Sequence, residues 1–571
     1  MHVLATAGHV DHGKSTLVRA LTGSDPDRLA DEKRRGLTIR LGYCWTELDP
    51  VGEVAFVDVP GHDRFLPTTL SGLGPAPAVL FVVAADDPWM PQAAEHLAAL
   101  DALGVRHGVL AVTRADLTDP GPALATARAQ LAGTGLAGAP AVAVSGRTGQ
   151  GLAELRAALG AMLAAIPAPD PATPARLWAD RSFHLRGSGT IVTGTLPAGT
   201  IAVGDRLVTD AVEVRVRGIQ ALGSDTDRVV GPARVALDLG GGVGRSVAEG
   251  SVLVAPEAYR WTSEIDVRLR GDGDPPRGPL LHIGALACAV HVRPLGNGYA
   301  RLGLERPLPL HAGDRAILRD PGDRRMWGVA VLDPDPVPLR RRGAAGRHAT
   351  ALAGFDGGMA APLRVRGAAR RSELARSGFT DDLDAAAGDE WLLDPARASE
   401  LAARLTELVT AAGVDGISPA DAARRLGLPD PVLLRALPGP APIERGGRLV
   451  ADIGLGEAES RALAALTAEL ADAPFAAPDA DRLRELGIDD AMLARLARAG
   501  RLVRPAPGIA LGPGAVDEAV SRLAELPQPF TASEARRALG TSRRVALPLL
   551  DHLDRSGRTV RLPDDRRRLR T

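Results

Sequence analysis

Apolar positions in the first 168 residues come in short runs, each followed by turn residues or by an amphipathic stretch. Val3-Leu4-Ala5-Thr6 has the length of a buried strand, and Leu17-Val18-Arg19-Ala20-Leu21 reads as the helix after it. Val54-Ala55-Phe56-Val57, Val109-Leu110-Ala111-Val112 and Ala143-Val144 predict further buried strands. A proline-rich stretch, Ile166 to Arg176, then marks a boundary. Beyond it the period shortens to β-branched segments between Gly and Asp turns: Gly189–Thr195, Val212–Ile219 and Arg234–Leu237. A second such stretch covers about 258–335 and includes Cys288-Ala289-Val290-His291-Val292. Strands so spaced predict two small β-barrels.

From about 345 the pattern turns helical and repeats. Arg425–Leu437 with the hairpin Ile443–Val450, then Glu485–Arg504, then Ala538–Leu562 follow one plan, and a fainter copy begins near Arg370. Each reads helix, turn, helix and a two-stranded wing, which is the winged helix-turn-helix. The expected fold is multidomain: an α/β P-loop domain at 1–168, β-barrels at 174–256 and 257–338, and tandem winged-helix repeats (α+β). The repeats are expected at 345–395, 396–453, 456–512 and 513–571.

Composition adds three constraints. The 571 residues exceed one core, at about 100–200 residues per domain. No apolar stretch approaches the ~18 residues of a membrane span and no leader pattern precedes the first motif. Two distant cysteines, Cys44 and Cys288, suggest a reducing compartment. A cytoplasmic monomer with no membrane partner is therefore expected. Charge is uneven: from Thr531 to Thr571, 11 arginines face five carboxylates, a net of +6, whereas the whole chain carries −1. Such a basic end suits an anionic partner. All strong bases are arginine except Lys14 and Lys33.

Lys14 falls in GHVDHGKS, Gly8 to Ser15, between the first strand and the first helix, the context a P-loop requires. Gly8, His9, Val10, Asp11, His12, Gly13, Lys14, Ser15 and Thr16 would cradle the phosphates, with backbone N–H groups and the helix N-terminus facing them. Lys14 would reach the β/γ-phosphates and Ser15 would offer its hydroxyl to Mg²⁺. Thr38 in Arg34-Arg35-Gly36-Leu37-Thr38 would complete the metal's shell. Asp58, closing the strand before Pro60-Gly61-His62, is the acid expected to hold Mg²⁺; Gly61 would present its N–H to the γ-phosphate. His62 stands where the attacking water must be oriented, and is the expected catalytic residue. Thr113-Arg114-Ala115-Asp116 resembles the guanine-reading NKxD motif with two departures, and Ser145–Gly146 resembles the loop that meets guanine O6. Asp116 can accept from guanine N1–H and its amine, which adenine cannot offer. GTP with Mg²⁺ is the implied cofactor pair.

GHVDHGKS, RGLTI and DVPGHDRF resemble the translational GTPases of the elongation factor Tu type. That resemblance implies a hydrophobic gate of Val10 and Leu37 that restrains His62 until the ribosome acts. DRSFHLRGSGTIVTGTL, Asp180 to Leu196, together with Val212–Gln220 and Ala233–Leu239, is similar to the second domain of the selenocysteine-specific branch. The likeness covers the first ~335 residues and implies a pocket in which Arg181 and Arg234, oriented by Asp180, receive a selenolate. It also implies delivery of selenocysteinyl-tRNA to the ribosome and binding of an mRNA hairpin, the selenocysteine insertion element. In the last repeat, Arg543, Arg544, Arg566, Arg567 and Arg568 are the residues expected on RNA. Two alternatives stand beside this: a general aminoacyl-tRNA-delivering GTPase, and a GTPase accessory to a sulfate-activating enzyme. Neither needs the winged-helix third of the chain.

Overall fold

The structure is a computed structural model that describes residues 1–26, 38–87, 89–185, 189–209, 212–240, 246–381, 383, 390–412, 416–439, 442–450 and 455–570. Two compact units divide at Asp384.

The first unit opens with a six-stranded sheet: β1 (His2–Ala7), β2 (Gly42–Leu48), β3 (Gly52–Asp58), β4 (Ala78–Ala84), β5 (His107–Thr113) and β6 (Ala141–Ala143). Their order is β2-β3-β1-β4-β5-β6, parallel throughout except for the β2–β3 hairpin. Among the described residues, five helices flank it: α1 (Lys14–Thr22), α2 (Leu66–Leu73), α3 (Pro91–Leu103), α4 (Gly121–Leu131) and α5 (Leu152–Ala164). The strands are apolar on both sides because both faces are covered. Val3, Ala5 and Val79 lie in one core with Leu70, Leu97 and Leu131 from α2, α3 and α4. Leu4, Leu80 and Val82 lie in the other with Leu17 of α1 and Leu159 of α5. The loops after β1, β3, β4 and β5 gather at the carboxyl edge, where open α/β sheets bind ligands.

Both β-rich segments fold as expected from their turn spacing, with a difference in closure. In the first, seven strands run in the order Arg176–Trp178, Val252–Val254, Arg206–Val208, Glu213–Ala221, Ala233–Gly240, Gly189–Leu196, Arg181–Leu185, with Ser224–Thr226 added beside Glu213–Ala221. In the second, Trp261–Arg270, Tyr299–Pro309, Leu286–Gly296, Leu280–Ile283, Arg315–Arg319 and Met326–Asp333 close into a ring. Arg176 clamps the two: it forms an ion pair with Asp314 (2.5 Å) and lies 5.2 Å over the Tyr259 ring. The closed barrel also enters the core beneath α3, to which Ile317 and Met326 contribute.

In the second unit, three successive groups repeat a helical plan. The first is Pro395–Ala412, Pro419–Leu426 and a short turn at Pro431–Ala436, with the hairpin Ile443–Arg445/Arg448–Val450. The second is Glu457–Asp472, Ala480–Glu485 and Asp490–Arg498, closed by a bridge between Val503 and Leu511. The third is Ala515–Ala524, Ala532–Ala538 and Arg543–Arg555, with the wing Thr559–Arg561/Arg567–Leu569. Four of the helix starts are capped through a side-chain oxygen, by Ser418, Asp479, Asp489 and Thr531.

Candidate functional site

Between β1 and α1 the backbone makes turns that side chains would obstruct. Gly8 sits at φ 132°, and a Cβ there would collide with the Val82 carbonyl. Gly61 is pressed against the Lys14 ammonium and the Val10 backbone, so a Cβ would fill the cradle. Lys14, 5% exposed, donates to the carbonyls of Gly8 (3.1 Å) and His9 (2.7 Å). Its charge is therefore held at the mouth of the loop, where a phosphate would replace carbonyls as its partner.

The three residues expected on Mg²⁺ converge. Ser15 Oγ donates to Asp58 (2.6 Å) and lies 3.0 Å from Thr38 Oγ1. Asp58 is fully buried, and its other oxygen accepts from Thr6 Oγ1 (2.7 Å). One carboxylate and two hydroxyls are hard oxygen donors of the kind Mg²⁺ takes, with room left for water and phosphate. The donor set fits. Leu37, the expected partner of Val10 in a gate, lies outside the described residues. His62 follows Gly61, with its Nδ1 accepting from the Arg64 N–H (3.2 Å) and its ring 6.1 Å from Phe65.

At the base-reading end, Thr113 is buried, and its hydroxyl donates to the His12 carbonyl (2.7 Å). The departure from Asn thus still ties β5 to the P-loop. Arg114 adopts φ 57°, donates to Asp86 (2.9 Å), and reaches the Asp11 carbonyl. Asp116 is exposed. Ser145 Oγ accepts from the N–H groups of Arg147 (3.2 Å) and Thr148 (3.1 Å), and Gly146 lies against Thr16.

Sequence reasoning missed the back wall of the cradle. His96 of α3, buried, accepts the Gly8 N–H on Nδ1 (3.0 Å), and Gln92 accepts that of Val10 (3.3 Å). Burial, reinforced by Lys14 and His9, pushes His96 down to about 3, which keeps Nδ1 free of a proton so that it can accept. His12, also buried, contacts Asp87 at 3.1 Å, and its burial likewise lowers it. The available signal was position: Gln92 and His96 are four apart, on one face of a helix.

A second cluster joins β2 to the first β-domain. Arg234 pairs with Asp180 through both nitrogens, one at 2.7 Å, and also donates to Thr193 Oγ1 (3.0 Å). The Tyr43 ring lies 3.8 Å from the Arg234 guanidinium and 4.9 Å from that of Arg181, which bonds the Leu41 carbonyl. Burial raises the Tyr43 phenol, against the opposing pull of Arg234. Tyr43 is the member of this cluster that the motif reading did not assign.

In the last repeat the five expected arginines divide. Arg567 is 3% exposed and bonded to Asp551 (2.7 Å) and Asp554 (2.8 Å). Arg544 donates to the carbonyls of Ala477 (2.7 Å) and Pro478 (2.9 Å) in the preceding repeat. Arg567 is thus buried and paired within its own repeat, whereas Arg544 stays exposed beside its carbonyl partners. Arg543 and Arg566 line a cavity with Arg536 and Leu547, and Arg568 is exposed.

The P-loop, the Ser15–Asp58–Thr38 oxygens and the Thr113–Asp116 loop meet at one sheet edge, the arrangement of a GTPase-type nucleotide site. Residues 1–165 match the family described as the elongation factor Tu GTP binding domain. Translation initiation factor 2 subunit gamma of Halorubrum lacusprofundi is 31% identical, and the match covers 58% of this chain and 97% of that protein. The chain belongs to the translational GTPases of the elongation factor Tu type. Within them it groups with the selenocysteine-specific elongation factors. Residues 280–337 match the β-barrel domain of that factor, and 521–568 match the family described as elongation factor SelB, winged helix. The factors of Desulfomicrobium baculatum and Escherichia coli are 34% and 36% identical over 59% and 58% of this chain. The chain spans only 57% and 56% of those two relatives. A solved bacterial selenocysteine-specific elongation factor superposes with a TM-score of 0.70 at 25% identity, over 100% of both chains.

Two outcomes follow for the nucleotide site. Asp116→Asn should exchange guanine for xanthine preference in equilibrium nucleotide binding; an unaltered preference would place base reading elsewhere. For His96, the unfolded chain binds a proton near pH 6.5 and the folded chain only near 3. Its contribution to stability is therefore complete above pH 6.5 and falls as pH drops toward 3. Melting curves should show a smaller loss between pH 6.5 and 5 for His96→Gln than for the wild type. Equal losses would contradict the assignment.

Proposed function

We propose that the chain is a GTP-hydrolysing translation factor that delivers selenocysteinyl-tRNA to the ribosome and holds an mRNA hairpin with its last winged helix. The observation that carries this reading is the Asp180–Arg234–Tyr43–Arg181 cluster beside the strand that leaves the nucleotide site. A selenol is more acidic than a thiol, whose reference pKa is about 8.5, so it arrives as an anion. Two guanidiniums beside one carboxylate leave a net positive charge to meet it, whereas neutral serine gains nothing from them. Arg234 would exchange part of its pairing with Asp180 for the selenolate.

On the nucleotide side, Ser15, Thr38 and Asp58 would hold Mg²⁺, which neutralises phosphate charge when bound. Gly8 to Thr16 and Gly61 would bind the triphosphate, with Lys14 as a point charge. Asp116, Arg114, Thr113, Ser145 and Gly146 would take the guanine. His62 would orient the water that attacks the γ-phosphate, giving GDP and phosphate, and the ribosome would stimulate that step. Water orientation suits the loose transition state of phosphoryl transfer better than proton abstraction does.

For the hairpin, the cavity of the last repeat pairs cations with an apolar side chain. Arg536, Arg543 and Arg566 can meet phosphates, and Leu547, 36% exposed, can cover a base splayed from its stack. We also assign the repeat boundaries and the cytoplasmic, monomeric state given above to this reading.

The deciding experiment is filter binding of the GTP-loaded chain to selenocysteinyl- and seryl-tRNA of one tRNA body. Preference for the selenocysteinyl form, lost in Arg181→Gln/Arg234→Gln, supports the reading; equal binding overturns it. His62→Ala should leave GTP affinity within about twofold while ribosome-stimulated hydrolysis falls on the order of a hundredfold or more; full hydrolysis would remove His62. Arg543→Gln/Arg566→Gln/Arg568→Gln should lower the slope of log K against log salt for the hairpin by about one per lost phosphate contact. An unchanged slope would place the RNA elsewhere.

A further inference from the structure

Arginines of the closed barrel follow two habits. Those covered by neighbouring elements are paired: Arg301 of the barrel with Asp266 (2.8 Å), and Arg366 of the helix Ala360–Arg366 with Asp333 (2.8 Å). Arg268, Arg270 and Arg315 on its outer side, with Arg106 after α3, are different. Among the described residues, none of these four forms an ion pair with a carboxylate.

Their placement is set by strand register. Arg268 and Arg315 both lie opposite Ala330, one from each side of the strand Met326–Asp333, and Arg270 lies opposite Gly328. Residues directly opposed across a sheet share a face. Three guanidiniums therefore rise around a floor of the smallest side chains. The basin is a cavity of 310 Å³ lined by all three, with Ala102 of α3 at its edge. That is the low end of the range of about 300–1,000 Å³ for small-ligand sites. Arg315 leans on Gly104, the residue that ends α3, where a helix C-terminus favours a cation. The one carboxylate on the lining, Asp356, accepts from the Gly358 N–H (3.0 Å). Burial and the mutual repulsion of Arg270, Arg106 and Arg268 push Arg315 down from its ordinary range. Like charges gathered at one spot oppose folding unless an anion joins them.

We propose that this basin, between the end of α3 and the outer face of the closed barrel, is a second anion site that binds phosphate groups. Guanidinium forks match phosphate oxygens two at a time, and three forks around a flat floor suit a group with more than one negative charge. The phosphate can belong to a free polyphosphate or to an RNA backbone. The two sources share this chemistry and differ in what competes.

The test uses the full chain saturated with Mg·GDP, so that the P-loop is filled, and inorganic tripolyphosphate in excess Mg²⁺ as probe. Calorimetry should find one site, weakened at least tenfold in Arg268→Gln/Arg315→Gln and little changed in Arg268→Lys/Arg315→Lys. It should be unaltered by Arg206→Gln, a surface arginine paired with Glu213 elsewhere. The Gln variant should melt no lower than the wild type, because repulsion is relieved, and only the wild type should gain melting temperature from the probe. If tRNA displaces the probe and binds the Gln variant more weakly, the source is an RNA backbone. If tRNA does neither while the probe binds, it is a free polyphosphate. No heat beyond the P-loop, heat unaffected by the Gln pair, or a Gln variant that melts lower with no lost binding would each overturn the proposal.

Discussion

Asp58 is a fully buried carboxylate, and burying such a charge costs several kcal/mol unless hydrogen bonds or a cation compensate it. Two hydroxyls donate to it, and a third stands beside one of those donors. Thr6 lies near the end of β1, Ser15 in the first turn of α1, and Thr38, next to Ser15, at the approach to β2. The carboxylate therefore fixes the sheet edge, the first helix and the segment entering β2 around one point. That point is where a divalent cation would supply what hydroxyl donors alone supply in part. The rest of the nucleotide site is arranged about this demand. Lys14 is held by two carbonyls and Gly61 is excluded from being anything larger. Neutral His96 props the loop from behind.

The same constraint reaches the first β-domain. Gly42 pairs with Asp58 across the β2–β3 hairpin, and the next residue is Tyr43. Its ring contacts the guanidiniums of both Arg181 and Arg234. Four residues thus separate Thr38, beside the metal set, from an aromatic plate under the proposed aminoacyl pocket. Packing leaves little slack along this path: Leu41 is buried, and its carbonyl holds Arg181.

Much of this was legible in the sequence because the chemistry there uses the backbone or contiguous residues. GHVDHGKS and DVPGH must be adjacent along the chain to make their turns, so order and spacing revealed them. A recurring helix–turn–helix–wing pattern and short β-branched runs revealed the repeats and the β-domains for the same reason. What stayed hidden depends on tertiary approach. His96 and Gln92 lie more than 80 residues from the loop they support, and sharing one helix face does not by itself say which loop that face meets. The five terminal arginines look alike in a chain rich in arginine, and only the folded wing separates buried Arg567 from its exposed neighbours. Turn spacing predicts two barrels, and the second closes into a ring; that the described strands of the first run in an unclosed order is what the spacing does not encode.

The most direct test of the central claim is calorimetric titration of nucleotide-free protein with GTP and with ATP, each with Mg²⁺ and with chelator. The account predicts a P-loop site that takes GTP in preference to ATP and weakens sharply without Mg²⁺ or in Ser15→Ala. Equal heats for both nucleotides, or GTP binding indifferent to the metal and to Ser15, would contradict it.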